Sequence, residues 1–220
     1  KQERTIIMIN TIMEMTAIKG LARKAALGLA VGMLLLAPVA AEAHCDTMDG
    51  PTVKDALKAM KTDNVNYALK WVQPRYEGEV TRAFNLSMKV MDINADTRNL
   101  AEQYFFEILL RDHRAGEGAP FEGVKPHGTP IDERVKAADR SIEEGNLKPL
   151  EHLVDKDKQL ELERRFQRVM ALRDFDVNDL EAGREYIEAY VQFFKFAEGE
   201  EDEHHGVHGH GGHEALHGQE

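Results

Sequence analysis

Cysteine is all but absent: Cys45 stands alone in 220 residues. A single thiol excludes any disulfide within the chain and any paired Cys-x-x-Cys zinc or redox motif. Other catalytic signatures are missing as well. There is no Gly-rich phosphate loop and no Gly-x-Ser-x-Gly, which removes the nucleotide-binding and serine-hydrolase readings those motifs carry. Positive charge is also short, with 28 Lys and Arg against 39 Asp and Glu and a net charge of −11. An acidic surface of this kind repels phosphate backbones and anionic headgroups, so nucleic acid and anionic lipid are not expected partners.

Long hydrophobic runs are equally scarce. The one candidate, residues 25–39 around Met33-Leu34-Leu35-Leu36, follows the basic residues Lys19, Arg23 and Lys24 and precedes Ala41-Glu42-Ala43. This order of basic region, short apolar region and small-residue cleavage site reads as a secretory leader and is too short for a membrane span. Met15 is a natural start for it. A cut after Ala43 predicts a periplasmic or secreted protein of 177 residues, 44–220. Taking the five basic and three acidic residues of 1–43 from the totals leaves 23 against 36, a net charge of −13.

What is present in quantity is helical patterning, and the expected fold is all-α. Residues 51–61 carry Val53, Ala56, Leu57 and Met60, with Pro51 in the first turn. A second short helix is expected over 65–72. Four long ones follow: 77–91 (Val80, Phe84, Met88, Met91); 95–113 with an Asp96 cap and a stripe of Leu100, Tyr104, Ile108 and Leu109; 129–144, capped by Thr129-Pro130; and a longest helix over 148–175 (Leu162, Phe166, Val169, Met170). Residues 179–198 close the domain with Leu180, Ile187, Tyr190, Val191 and Phe194. The expectation is a helical bundle of about four long helices plus short amino-terminal ones, spanning 44–197. A Gly/Pro-rich loop from Ala115 to Pro130 interrupts it, long enough to be functional or mobile. Residues 198–220 turn acidic and then histidine-rich, with almost nothing to bury, and read as a disordered tail.

Three constellations carry chemistry. Processing after Ala43 would place a free α-amine, the His44 imidazole and the Cys45 thiol within two residues, all donors for borderline or soft metals. Asp49 adds a carboxylate nearby. Lipidation of Cys45 is disfavoured, because His44 occupies the position where a lipobox needs a small residue. The second constellation is His113 and Glu117, four apart and on one face if helix persists through Gly116, with Glu77, Glu79 and Glu107 as further acids. Its plain alternative is ordinary surface pairing, such as Glu107 with Arg111. The third is the tail: His204, His205, His208, His210, His213 and His217 are spaced to bind Ni²⁺, Cu²⁺ or Zn²⁺ without a preformed site.

The start His44-Cys45-Asp46-x-x-x-Gly50 resembles the amino-terminal hook of nickel superoxide dismutase, which sits on a helical bundle. The resemblance implies nickel held by the terminal amine, the following amide nitrogen, the His44 ring and the Cys45 thiolate. It departs from that family at Asp49, which stands where the second thiolate belongs and is a harder donor. The wider chain, over roughly 44–127, resembles an uncharacterised family of exported bacterial proteins. The matching elements are His44-Cys45-Asp46-Thr47-x-Asp49-Gly50-Pro51, Trp71-Val72 followed by Glu77 and Glu79, Tyr104-Phe105-Phe106-Glu107, and His113-Arg114-Ala115-Gly116-Glu117-Gly118-Ala119-Pro120. That likeness implies no activity.

The leading expectation is an exported metal-binding protein for copper or nickel, then zinc, with His44 and Cys45 as the specific site and the tail gathering ions. A redox metalloenzyme similar to nickel superoxide dismutase is the second reading, and a non-metal helical interaction or stress protein the third. Metal ions are the expected partners. No membrane contact is expected after processing, and a homo-oligomer stays open.

Overall fold

Caps and turn residues decide where helices start and stop, and the computed structural model describes residues 44–199. The expected leader (1–43) and histidine tail (from 200 onward) lie outside the described residues. Among the described residues seven α-helices run in order: α1 Pro51–Thr62, α2 Asn66–Leu69, α3 Glu77–Val90, α4 Ala95–Glu117, α5 Glu133–Glu144, α6 Gln159–Leu172 and α7 Leu180–Glu198. Among the described residues there is no strand, only an isolated parallel bridge between Thr47 and Lys125. The all-α bundle is the fold.

α3 and α4 pack as a hairpin, α7 packs against both α5 and α6, and α1 lies on α4. Their shared core contains Phe105, Phe106, Leu109 and Leu110 from α4, and Phe193 and Phe194 from α7. Leu162 and Val169 enter from α6, and Val53, Val80 and Val135 from α1, α3 and α5. Burying each of these larger side chains favours the fold by roughly 1.5–3 kcal/mol before entropy is counted. No described helix is long and apolar enough to cross a membrane.

Several boundaries differ from the sequence expectation, each for a physical reason. Asn94, not Asp96, caps α4: its side chain accepts from the Thr97 amide at 2.9 Å, and the Thr97 hydroxyl accepts from the Asn94 amide at 3.0 Å. This reciprocal arrangement satisfies two end donors at once. Asp96 instead occupies the first turn, where a negative charge suits the helix dipole. The Thr129 hydroxyl is spent on the Pro126 carbonyl at 2.7 Å, so α5 waits for Asp132, whose carboxylate caps Arg134.

The expected helix over 148–175 is broken. Lys148–Leu150 and Lys156–Lys158 are single 3₁₀ turns, and α6 begins only at Gln159. These turns bring Leu150 and Val154 into the core, and the Gln159 side chain donates to the Val154 carbonyl at 2.9 Å. The longest described helix is therefore α4, which runs straight through Gly116. Its buried stripe is also rotated from expectation. Leu100 is 67 % exposed and Tyr104 is exposed as well, while Ala101, Phe105, Phe106, Leu109 and Leu110 face inward.

Candidate metal centre

The chain ahead of α1 is a tight hook. The Thr47 hydroxyl donates to the His44 carbonyl at 3.1 Å, the Gly50 amide to the Thr47 carbonyl at 2.9 Å, and the Lys54 amide to the Gly50 carbonyl at 3.1 Å. Gly50 is required by close approach: a Cβ there would lie 2.3 Å from the His44 carbonyl oxygen. Pro51 then starts α1 in its first turn.

The loop 118–132 closes over this hook. The Met48 amide donates to the Lys125 carbonyl at 2.9 Å, and the Lys125 amide to the Asp46 carbonyl at 2.8 Å. Asp49 sits outside. Its carboxylate takes the His127 ring at 2.7 Å and the Gly128 amide at 2.7 Å. These contacts, the Gly128 amide first, hold the Asp49 carboxyl below its ordinary range. Asp49 thus latches the loop rather than facing Cys45.

His44 and Cys45, by contrast, point into the bundle, each only 4 % exposed. The His44 Nε2 lies 2.8 Å from Asp139 Oδ2 on α5. Tyr190 on α7 donates its hydroxyl to Asp139 Oδ1 at 2.6 Å and stands 3.4 Å from the same imidazole nitrogen. The His44 ring meets Phe194 edge-on. Because a carboxylate accepts, Nε2 is the nitrogen that carries the proton. Nδ1 is buried and without a hydrogen-bond partner.

His113 repeats the arrangement from the other side. Its Nδ1 is 2.8 Å from the Trp71 carbonyl, which can only accept, so the proton is on Nδ1. Its Nε2 is buried without a hydrogen-bond partner; the nearest charge is Glu117 Oε1 at 3.8 Å. Persistence of α4 through Gly116 puts His113 and Glu117 on one face. Trp71 stacks edge-on against both His113 and Tyr190 and is itself anchored by its indole N–H to Asp55 at 2.8 Å. The two imidazoles are thus joined through Trp71 and Tyr190.

The Cys45 thiol is within electrostatic reach of Glu117, Asp139 and Tyr190. Burial pushes its thiol well above the usual range, and the charges of Glu117, Asp46 and Asp139 push further; Thr52 pulls weakly the other way. Tyr190 is raised too, by burial first and then by Asp139 and Cys45. Left to itself this thiol is a neutral, inert group; a bound cation reverses that balance and takes the thiolate directly. Arg114 offsets part of the local negative charge, pairing with Asp46 at 3.5 Å and Glu117 at 3.1 Å.

The other acids go elsewhere. Glu77 pairs with Arg184, Glu79 binds Arg111 at 2.7 Å, and Glu107 is exposed. The expected Glu107–Arg111 pair gives way because Arg111 also takes Asp112 at 2.9 Å. Of the tail histidines, His204, His205, His208, His210, His213 and His217 all fall outside the described residues. Among the described residues no three His, Cys, Asp or Glu side chains are set as a metal-holding group.

Asp139, Tyr190 and Trp71 did not figure as site residues in the sequence reading. One signal was available for the first: Asp139 is four residues after the buried Val135, so an acid falls on the edge of an inward face. No curated protein of known function and no solved structure matches this chain. A family does. Matching it over residues 49–196, the chain belongs to DUF6448, a family of unknown function.

Proposed function

We propose that this is an exported metal-binding protein whose specific site is built on His44 and Cys45. Copper or nickel is the favoured ion and zinc the next. The observation that carries the reading is the pair of oriented imidazoles. His44 gives one nitrogen to Asp139 and His113 gives one to the Trp71 carbonyl, while the opposite nitrogens are buried lone pairs with no hydrogen-bond partner. Metal-binding histidines characteristically hand their second nitrogen to a carboxylate or carbonyl in this way, which fixes tautomer and aim.

The side chains of His44 and Cys45 do not by themselves complete a cage, so the reading draws on the α-amine that cleavage after Ala43 would free. That amine and Nδ1 of the same residue close a six-membered ring with an ion, and the Cys45 thiolate adds a soft donor. His113 Nε2 and Glu117 are the groups on α4 nearest to completing the shell. The histidine tail would serve as a low-specificity collector of the same ions.

Elemental analysis of the processed protein lacking residues 198–220 tests this. One metal per chain, lost in both His44→Ala and Cys45→Ser, is the expected result. Metal that disappears with the tail deletion alone would reduce the protein to a nonspecific sequestering chain and reject the specific site.

A further inference from the structure

We infer that Asp139 and Tyr190 are positioning residues that commit His44 to a single tautomer, with the proton on Nε2 and the lone pair on Nδ1. The inference takes its purpose from the metal-binding reading, but the ring's protonation is measurable without any ion present.

The geometry leaves the imidazole little choice. Asp139 Oδ2 accepts from Nε2 at 2.8 Å, and its other oxygen is engaged by the Tyr190 hydroxyl at 2.6 Å. Since that hydroxyl spends its proton on the carboxylate, it cannot donate to Nε2, from which it stands 3.4 Å. Both oxygens of Asp139 are thus occupied by donors, and the carboxylate is held against rotation. Tyr190 is fixed in turn by ring contacts with Trp71, Tyr186 and Phe194.

The consequence is specific to an amino-terminal histidine. Nδ1 is the ring nitrogen that can close a six-membered chelate with the residue's own amine; Nε2 lies too far around the ring. A His44 that exchanged freely between tautomers would present Nδ1 as a lone pair only part of the time. Asp139 removes that loss, and Tyr190 keeps Asp139 in place. The two residues come from different helices, α5 and α7, so the bundle must be assembled before the chelating nitrogen is set.

Nitrogen-15 ring shifts of His44 in the metal-free processed protein decide the assignment. The expected spectrum shows protonated Nε2 and bare Nδ1 in the wild type. Asp139→Asn, whose amide can either accept or donate, is expected to give a mixed tautomer. It should also weaken nickel and copper(II) binding about 10- to 100-fold, as loss of such an outer partner typically does. Asp139→Glu should restore the single tautomer in part, and Tyr190→Phe should broaden it with a smaller loss of affinity. A wild-type ring protonated on Nδ1 would overturn the inference, and so would an Asp139→Asn protein with unchanged ring shifts. If the ring behaves as expected but the wild type binds no nickel, copper or zinc, the metal-binding reading fails and the tautomer assignment stands.

Discussion

His44 and Asp139 meet at 2.8 Å, ring nitrogen to carboxylate oxygen, and Tyr190 closes on the same carboxylate at 2.6 Å. Asp139 is half-buried, and hydrogen bonds to a charged acceptor stabilise more than neutral ones. Tyr190→Phe, which keeps the ring packing, is therefore expected to lower stability by about 1.5–3 kcal/mol. Tyr190→Ala removes the ring as well and should cost about 3–5 kcal/mol, as large aromatic truncations do. Urea unfolding of the two variants measures both. A Tyr190→Phe protein as stable as the parent would show that the phenol adds nothing to the clamp.

Gly50→Ala puts a methyl group where the His44 carbonyl oxygen already is. The backbone on one side must move, at a cost of about 1–3 kcal/mol. Moving the hook also withdraws His44 from Asp139. A melting curve should show the loss of stability, and nickel or copper binding should fall with it. An unchanged melting temperature would mean that the hook has room the structure does not contain.

The Cys45 thiol is buried and held protonated by burial and by Glu117, Asp46 and Asp139. It should react slowly with a maleimide or iodoacetamide in the native protein at pH 8 and rapidly in denaturant. Thiol labelling followed by mass spectrometry reads the ratio directly. Equal rates in the two conditions would place the thiol at the surface.

Phe105 and Leu100 test the rotation of α4. Phe105→Ala opens a cavity at a fully buried position and should cost about 3–5 kcal/mol. Leu100→Ala removes an exposed side chain and should stay within about 0.5 kcal/mol of the parent. Reversed magnitudes in chemical denaturation would restore the stripe read from the sequence.

Asp49 provides a pH test of the loop latch. Its folded carboxyl titrates below its unfolded value, so its contribution is complete above the ordinary carboxylate range and disappears as pH falls through the lowered folded value. Hydrogen exchange of the Gly128 amide, corrected for intrinsic rate, should therefore show protection at pH 5 that declines toward pH 3. Asp49→Asn, lacking the charge, should flatten that dependence. A pH-independent protection in the parent would remove Asp49 from the latch.

The hardest features to read from the chain were those with two equivalent answers. On α4, Leu100-Tyr104-Ile108 and Ala101-Phe105-Leu109 are both apolar at a spacing of four, offset by one residue. Periodicity cannot choose between neighbouring stripes; the packing of α3 and α1 chose the second. Over 148–175 the abundance of helix-forming charged residues concealed the turns that carry Leu150 and Val154 inward. Caps were misplaced where two candidates stood close together, Asn94 and Asp96, or Thr129 and Asp132.

The site divides along the same line. The residue types of the hook and the four-residue spacing of His113 and Glu117 were visible directly, because local chemistry and helix period are properties of neighbours in the chain. Asp139 looked like one more solvated acid and Tyr190 like one more core aromatic. Each becomes part of a site only through contact with a residue far along the chain, and no local pattern records such contacts.

By itself, the order of residues determined an all-helical acidic chain with a lone thiol beside a histidine, since composition, helix period and turn chemistry act over a few positions. Tertiary structure alone decided which nitrogen of His44 is free, that Asp49 latches a loop, and which side of α4 is wet. Those outcomes depend on which groups meet across the bundle, and that is set by how the helices pack.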